Sequence, residues 1–255
     1  GIKRIAQIAS KLVPFMAFWY LVGSFAVIFS NYENIIPSLQ SIFIHVFTPA
    51  AAVGGFLGAS VAAALTRGVN RGLYSNEAGQ GSAPIAHASS KTENPIEEGM
   101  VSILEPFIDT IVVCSMTALV IIITGAYLDP ANQQFIINDQ GGALTSAAMG
   151  SVIPWFPYIL SVAVFLFAFS TMISWSYYGE RCWVWLFGDK SSLSYKIIFM
   201  GFTFLGSIIT AKNILTFSDL MILGMAFPNI LGMILLSGKV KRSLFEYCKA
   251  KSLQI

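Results

Sequence analysis

Gly68-Val-Asn-Arg-Gly-Leu-Tyr-Ser-Asn-Glu-Ala-Gly-Gln-Gly-Ser-Ala-Pro-Ile-Ala-His87 is the stretch on which the reading of this chain turns. Gly79 and Gly81 carry no Cβ, so the backbone there can leave helical geometry and approach a ligand closely. Pro84 stands three residues after Gly81, where it can open the first turn of a new helix. A helix start presents free N–H groups and the positive end of the dipole, which suit a carboxylate. Ser75, Asn76 and Ser82 add hydrogen-bonding groups. The same residues also fit a re-entrant or interfacial loop with ordinary turn chemistry, and physics alone does not separate the two. A nucleotide loop is excluded, because the Lys/Thr ending and the strand context of such motifs are missing.

What surrounds this stretch is apolar. Of 255 residues, 55% are hydrophobic and 11% charged, and mean hydropathy is +0.70. Soluble domains carry about 25% charge, so water is the wrong solvent for this surface. A net charge of +2 with no basic stripe argues against nucleic acid as a partner. Cys114, Cys182 and Cys248 are widely spaced and imply neither a disulfide framework nor a zinc site. The chain opens Gly1-Ile-Lys-Arg4, with neither an initiator Met nor a signal-peptide pattern. The expectation is a fragment entered partway through a longer protein.

Six apolar segments are expected to cross the bilayer, at roughly 12–30, 42–66, 101–125, 152–186, 197–211 and 214–237. Pro14 is expected in the first turn of the first, where a missing N–H costs little. Pro49, Gly54, Gly55 and Gly58 weaken the second. Alternating the segments puts fourteen of the fifteen Lys and Arg residues on one side, leaving Lys212 on the other. By the positive-inside rule both ends are then cytoplasmic. Residues 127–150 read as a polar outer loop with room for a short helix.

Three groups of residues inside or beside these segments carry chemistry. On the fourth, Phe167, Ser170, Thr171 and Trp175 follow spacings of three and four and share one helix face. The two hydroxyls are hard oxygen donors suited to a small cation alongside backbone carbonyls, and Trp175 is large enough to close over a small side chain. Ser and Thr also bond back to their own helix turn, and Trp packs, so the face alone does not decide. On the third, Asp109 beside Thr110 is costly in hydrocarbon, at least ~2.5–3.5 kcal/mol on insertion scales. Arg67, Arg71 or the amide of Asn76 is its expected partner, in a structural pair that locks the broken segment; cation binding is the second reading. Glu105 near the start of that span needs only to snorkel. His45 and His87 read as hydrogen-bonded filler rather than as a proton relay.

Residues 72–86 closely resemble the signature of the alanine or glycine:cation symporter family. So do Val13-Pro-Phe-Met-Ala17, Phe107-Ile-Asp-Thr-Ile111, Phe167-Ala-Phe-Ser-Thr171 and Trp175-Ser-Tyr-Tyr-Gly-Glu-Arg-Cys182, in the family's order along the chain. The resemblance implies an all-α polytopic membrane protein. This chain would supply the second repeat and trailing helices of a LeuT-like inverted-repeat transporter, a partial transporter domain over 1–255 that lacks the N-terminal half. It implies sodium-coupled symport of a small neutral amino acid, alanine or glycine, across the cell (inner) membrane, with sodium as coupling ion and no cofactor. Substrate would meet Asn76, Gln80, Gly81, Thr171 and Trp175. Sodium would meet Phe167 through its carbonyl, and Ser170 and Thr171 through their hydroxyls. Asp109 and Gly79 would serve structure or coupling, with Gly54 and Gly55 as the alternative hinge favoured by the charge pattern. A proton-coupled permease and a non-transporting subunit are the alternatives. A channel lacks a repeated filter loop or a ring of like charges, and an enzyme lacks paired carboxylates or a nucleophile–base set.

Overall fold

The computed structural model describes residues 2–47 and 61–251, with side chains from residue 7 onward apart from those of 45–47, 61–64 and 211. Every regular element among them is helical: α1 (Ile2–Ser30), α2 (Ile35–Phe47), α3 (Val61–Asn76), α4 (Ala83–His87), α5 (Pro95–Ser102), α6 (Leu104–Pro106), a π-helical segment (Phe107–Cys114), α7 (Ser115–Ile123), α8 (Gln133–Ile137), α9 (Gly141–Val152), α10 (Phe156–Phe187), α11 (Ser192–Gly206) and α12 (Ala211–Ala250). Among the described residues four helical stretches are long and apolar enough to cross a membrane: Gln7–Ser30, Pro95–Ile123, Phe156–Phe187 and Lys212–Ala250. The chain is therefore an all-α protein with the make-up of a polytopic membrane protein.

Several boundaries differ from those the sequence suggests. Helix α1 begins at Ile2, so Pro14 lies inside it rather than in a first turn. Its missing N–H removes one bond from the ladder while the turns on either side continue the helix. The middle of the second apolar segment, with Gly54 and Gly55, lies outside the described residues. The fifth segment corresponds to α11, whose 15 residues rise about 22 Å, short of a ~30 Å hydrocarbon core. The sixth continues through its basic tail as the 40-residue α12. The supposed outer loop contains α9, which buries Thr145, Ala148 and Met149 on one face.

The chain divides into two compact units, residues 1–66 with 113–215 and residues 67–112 with 216–255. The first has a core built on helical spacing. Met16, Ser24, Val27 and Ile28 of α1, Met116, Val120 and Ile123 of α7, and Phe156, Leu160 and Ala163 of α10 are buried. Gly23 is what lets α1 approach α10, because the Phe156 ring fills the place where a Cβ would stand. Outward faces of the same helices stay apolar, with Phe165 stacked on Phe169 and both exposed. Such a surface is stable against lipid tails, not water. The second unit is smaller and is held by polar contacts around the glycine turn.

Candidate functional site

In the second unit, the signature stretch ends a helix. Helix α3 stops at Asn76, and Glu77 takes a left-handed φ of 55°. Asn76 holds the turn from both ends of its amide. Its Oδ1 accepts from the Ala78 N–H at 2.9 Å, and its Nδ2 donates to Thr110 Oγ1 at 2.8 Å. The buried Gln80 side chain folds back and donates from Nε2 to the Leu73 carbonyl, a second donor to an oxygen that already accepts from the Glu77 N–H at 3.0 Å. Gly79 and Gly81 have φ of +82° and +102°, values that L side chains rarely adopt. At Gly81 a Cβ would stand 3.3 Å from Cβ of Asn229, so close approach and backbone conformation both call for glycine. The chain then re-enters a helix, but α4 has only five residues, with Pro84 in its first turn.

Asp109 has a different partner from the one its charge suggests. Arg71 is engaged elsewhere: its guanidinium donates from both terminal nitrogens to Asp219, at 3.2 and 3.1 Å. The Asn76 amide stops at Thr110, whose hydroxyl passes the link on by donating to Asp109 Oδ2 at 3.2 Å. Asn76, Thr110 and Asp109 thus form one hydrogen-bonded chain. Thr110 and Asp109 sit in the π-helical segment that follows Pro106. A widened helix of this kind is rare and concentrates at functional positions. Nothing in residue spacing marks it beforehand, although Pro106 is a usable signal of disturbed helical bonding.

A cluster absent from the sequence reading lies beside the turn. His87 Nδ1 is 2.6 Å from Glu98 Oε1 and its Nε2 is 3.3 Å from Glu105 Oε2. All three line a cavity of ≈ 590 Å³ together with Asn76, Gly79 and Asn229. The Glu98 carboxylate, hydrogen-bonded to Nδ1, holds the His87 imidazole above its ordinary value; burial opposes this and Glu105 reinforces it. The available signal was the separation of Glu98 and Glu105 by seven residues, two helical turns on one face. Glu105, expected to snorkel, is half-exposed and paired with His87.

The first unit carries the remaining candidates, all on α10. The Ser170 hydroxyl donates to the carbonyl of Phe167 at 2.9 Å, bringing two of the three expected sodium ligands together. Thr171 is exposed, and Trp175 is half-buried with its ring edge-on to Tyr178 at 6.1 Å. The sites on α10 and around the glycine turn belong to different units.

Comparison with known proteins agrees with these motifs. The model of the sodium:alanine symporter family matches residues 1–254. The chain is similar to the sodium/alanine symporter AgcS of Methanococcus maripaludis, 38% identical over 240 residues covering 94% of this chain and 51% of that protein. It is also similar to the sodium/proton-dependent alanine carrier protein of Bacillus sp. strain PS3 (32% identity; 97% of this chain, 57% of that one). A third relative is the probable sodium/glutamine symporter GlnT of Bacillus subtilis (34%; 98% and 51%). The chain spans about half the length of the curated relatives it matches. With a family model covering all but its last residue, the chain belongs to the sodium:alanine symporter family.

Proposed function

We propose that this chain forms one wall of the binding site of a sodium-coupled symporter for a small neutral amino acid, alanine or glycine. The observation that carries the reading is the family match from end to end, over motifs of which two fall on irregular backbone, the glycine turn and the π-helical segment. Transport would proceed by alternating access in a LeuT-like inverted-repeat fold, with about six spans in this chain and both its ends cytoplasmic. The length of the relatives that this chain does not cover would supply the opposite wall.

In this reading α10 holds the sodium ion. Phe167 O and Ser170 Oγ are 2.9 Å apart, a separation at which two hard oxygens can face one cation, and Thr171 Oγ1 lies one residue further along the same face. Trp175, one turn on, limits the room for the cargo's side chain. Around the glycine turn, Gln80 Oε1 and Ser82 Oγ are buried without a hydrogen-bond partner among the described residues. A buried polar atom of this kind carries a desolvation cost, and cargo near Gly81 would remove it. Sodium contributes by binding oxygens that only one conformation assembles, so its gradient biases the cycle.

The test is uptake of labelled alanine and glycine by full-length transporter in liposomes. Uptake should collapse when sodium is replaced by choline, and Trp175→Ala should change side-chain selectivity while keeping the sodium response. Uptake indifferent to sodium would refute the coupling, and selectivity unchanged by Trp175→Ala would remove that residue from the pocket.

A further inference from the structure

We propose that His87, Glu98 and Glu105 form a proton-binding site that fastens α4 to the start of the Pro95–Ile123 span. The proposal goes beyond the symport reading and does not rest on it. It begins from a count of protons. A neutral imidazole has one N–H, and an ionised carboxylate only accepts. Yet Nδ1 faces Glu98 at 2.6 Å and Nε2 faces Glu105 at 3.3 Å. Both contacts are attractive only when the cluster holds one proton more than a neutral ring between two carboxylates.

The surroundings favour keeping that proton. Glu93 lines the same cavity and adds negative charge, while no Lys or Arg does so among the described residues. The groups that line it from α3 and α12, Asn76, Asn229 and Met233, are neutral. From the loop after α4, Ser90 lines the same cavity and is neutral. Among the described residues His87 is therefore the one lining group that can carry positive charge, and it shares the cavity with three acids. Among the described residues no grouping of His, Cys, Asp and Glu has the geometry to hold a metal ion, which leaves the proton as the fitting ligand.

The two contacts should fail in order. When the proton leaves, the remaining N–H stays on Nδ1, where the contact with Glu98 is shorter. Nε2 then turns a lone pair on the Glu105 carboxylate, and that arm is repelled. Helix α4 closes one side of the cavity through Ala83, Pro84 and His87. Proton loss therefore loosens the segment that follows the glycine turn. Glu105→Gln provides a direct check, because the amide can donate to the neutral ring's Nε2 and keep the arm closed at high pH.

The chain contains two histidines, so in the His45→Gln background the imidazole of His87 gives a single NMR signal. The measurement is a ring-nitrogen titration of the labelled full chain in nanodiscs between about pH 5 and 8. The expected result is a doubly protonated ring that persists above the midpoint of a free imidazole and loses the Nε2 proton first. That midpoint should fall in Glu98→Gln. Should that variant not fold, the half-exposed Glu105 offers the milder removal, and Glu105→Ala should lower the midpoint as well. A ring already neutral below the free-imidazole midpoint, or a midpoint that ignores both glutamates, overturns the site. Hydrogen–deuterium exchange of α4 is the second readout. It should rise across the titration in the parent chain and stay flat in Glu105→Gln, and exchange indifferent to pH in the parent chain overturns the latch.

Discussion

Thr110→Val is the substitution that most directly tests how the glycine turn is held. Valine keeps the shape of threonine and removes only the hydroxyl, so the ordinary 3.9 Å approach of Cγ2 to the Cβ position of Gly72 survives. Two hydrogen bonds do not: the 2.8 Å bond from Asn76 Nδ2, and the 3.2 Å bond to Asp109 Oδ2. A net hydrogen bond is worth about 0.5–1.5 kcal/mol, and one to a charged group about 1.5–3. The Thr110–Asp109 bond is long and between sequence neighbours, and both residues are only half-buried, so the lower ends of both ranges apply. The expected loss is about 2 kcal/mol, or about 4–8 °C in unfolding temperature for a chain of this size. Thr110→Ser retains the hydroxyl and should unfold near the parent. The assay is thermal unfolding in detergent, and a double-mutant cycle with Asn76→Ala should return a coupling of about 1 kcal/mol. If Thr110→Val and Thr110→Ser unfold together, the hydroxyl does not hold the turn and the hydrogen-bonded chain from Asn76 to Asp109 is not a structural unit.

Three further outcomes follow from the same geometry. Gly81→Ala should destabilise more than Gly79→Ala in a thermal-shift series: both take on positive-φ strain of about 1–3 kcal/mol, but only Gly81 also meets the Asn229 side chain. Gly23→Ala would put a Cβ 2.0 Å from Phe156 Cζ, so a loss of about 1–3 kcal/mol or more is expected, relieved in the double variant with Phe156→Leu. The His87 imidazole is held above its ordinary value by Glu98, so its stabilisation is fully present below about pH 6.5 and disappears as pH rises through the folded-state value. The difference in unfolding temperature between the parent chain and His87→Gln should therefore shrink toward alkaline pH, and a difference that grows would contradict the assigned sign.

What the sequence revealed is largely what the solvent dictates. Long apolar runs at Leu12, Val152 and Ile214 could not be anything but helices in hydrocarbon, because every backbone polar group there must be satisfied within its own segment. Their ends were less legible. Helix α1 extends back to Ile2 past Lys11, and α12 forward through Lys239 to Ala250, since a charged residue can continue a helix beyond the membrane. The helix for which the 127–150 stretch left room was not legible in its extent or its burial, because the small residues of α9, Gly141 to Gly150, give little hydropathy contrast. The glycines at 79 and 81 were readable as a break, for only glycine takes that backbone cheaply. The partners of Asp109 were not. Of the expected Arg67, Arg71 and Asn76 amide, Arg71 pairs with Asp219, 148 positions away, a separation that leaves no trace in local pattern, and Asn76 reaches Asp109 only through Thr110. The face on α10 was legible as a face, yet its Ser170 also makes the helix-internal bond that any membrane serine makes.

The signature stretch is what the structure recasts most. Read as sequence, Asn76 and Gln80 are polar groups waiting for cargo; in the fold, three of their four amide functions are engaged. Asn76 uses its oxygen on Ala78 and its nitrogen on Thr110, while Gln80 uses its nitrogen on Leu73. A side chain that must let go of the backbone to reach a ligand is a poor ligand, because each exchange forfeits a bond already made in a half-buried place. A rigid turn, by contrast, is what a site built from backbone requires. It fixes where Gly79 and Gly81 present their peptide groups, and it ties that position through Thr110 to the π-helical segment. In the proposed reading the weight of the motif therefore falls on the backbone at its glycines and on two oxygens without a partner among the described residues, Gln80 Oε1 and Ser82 Oγ. Family resemblance singled out Asn76 and Gln80 for cargo, and the geometry gives their engaged amide groups the task of holding a backbone still.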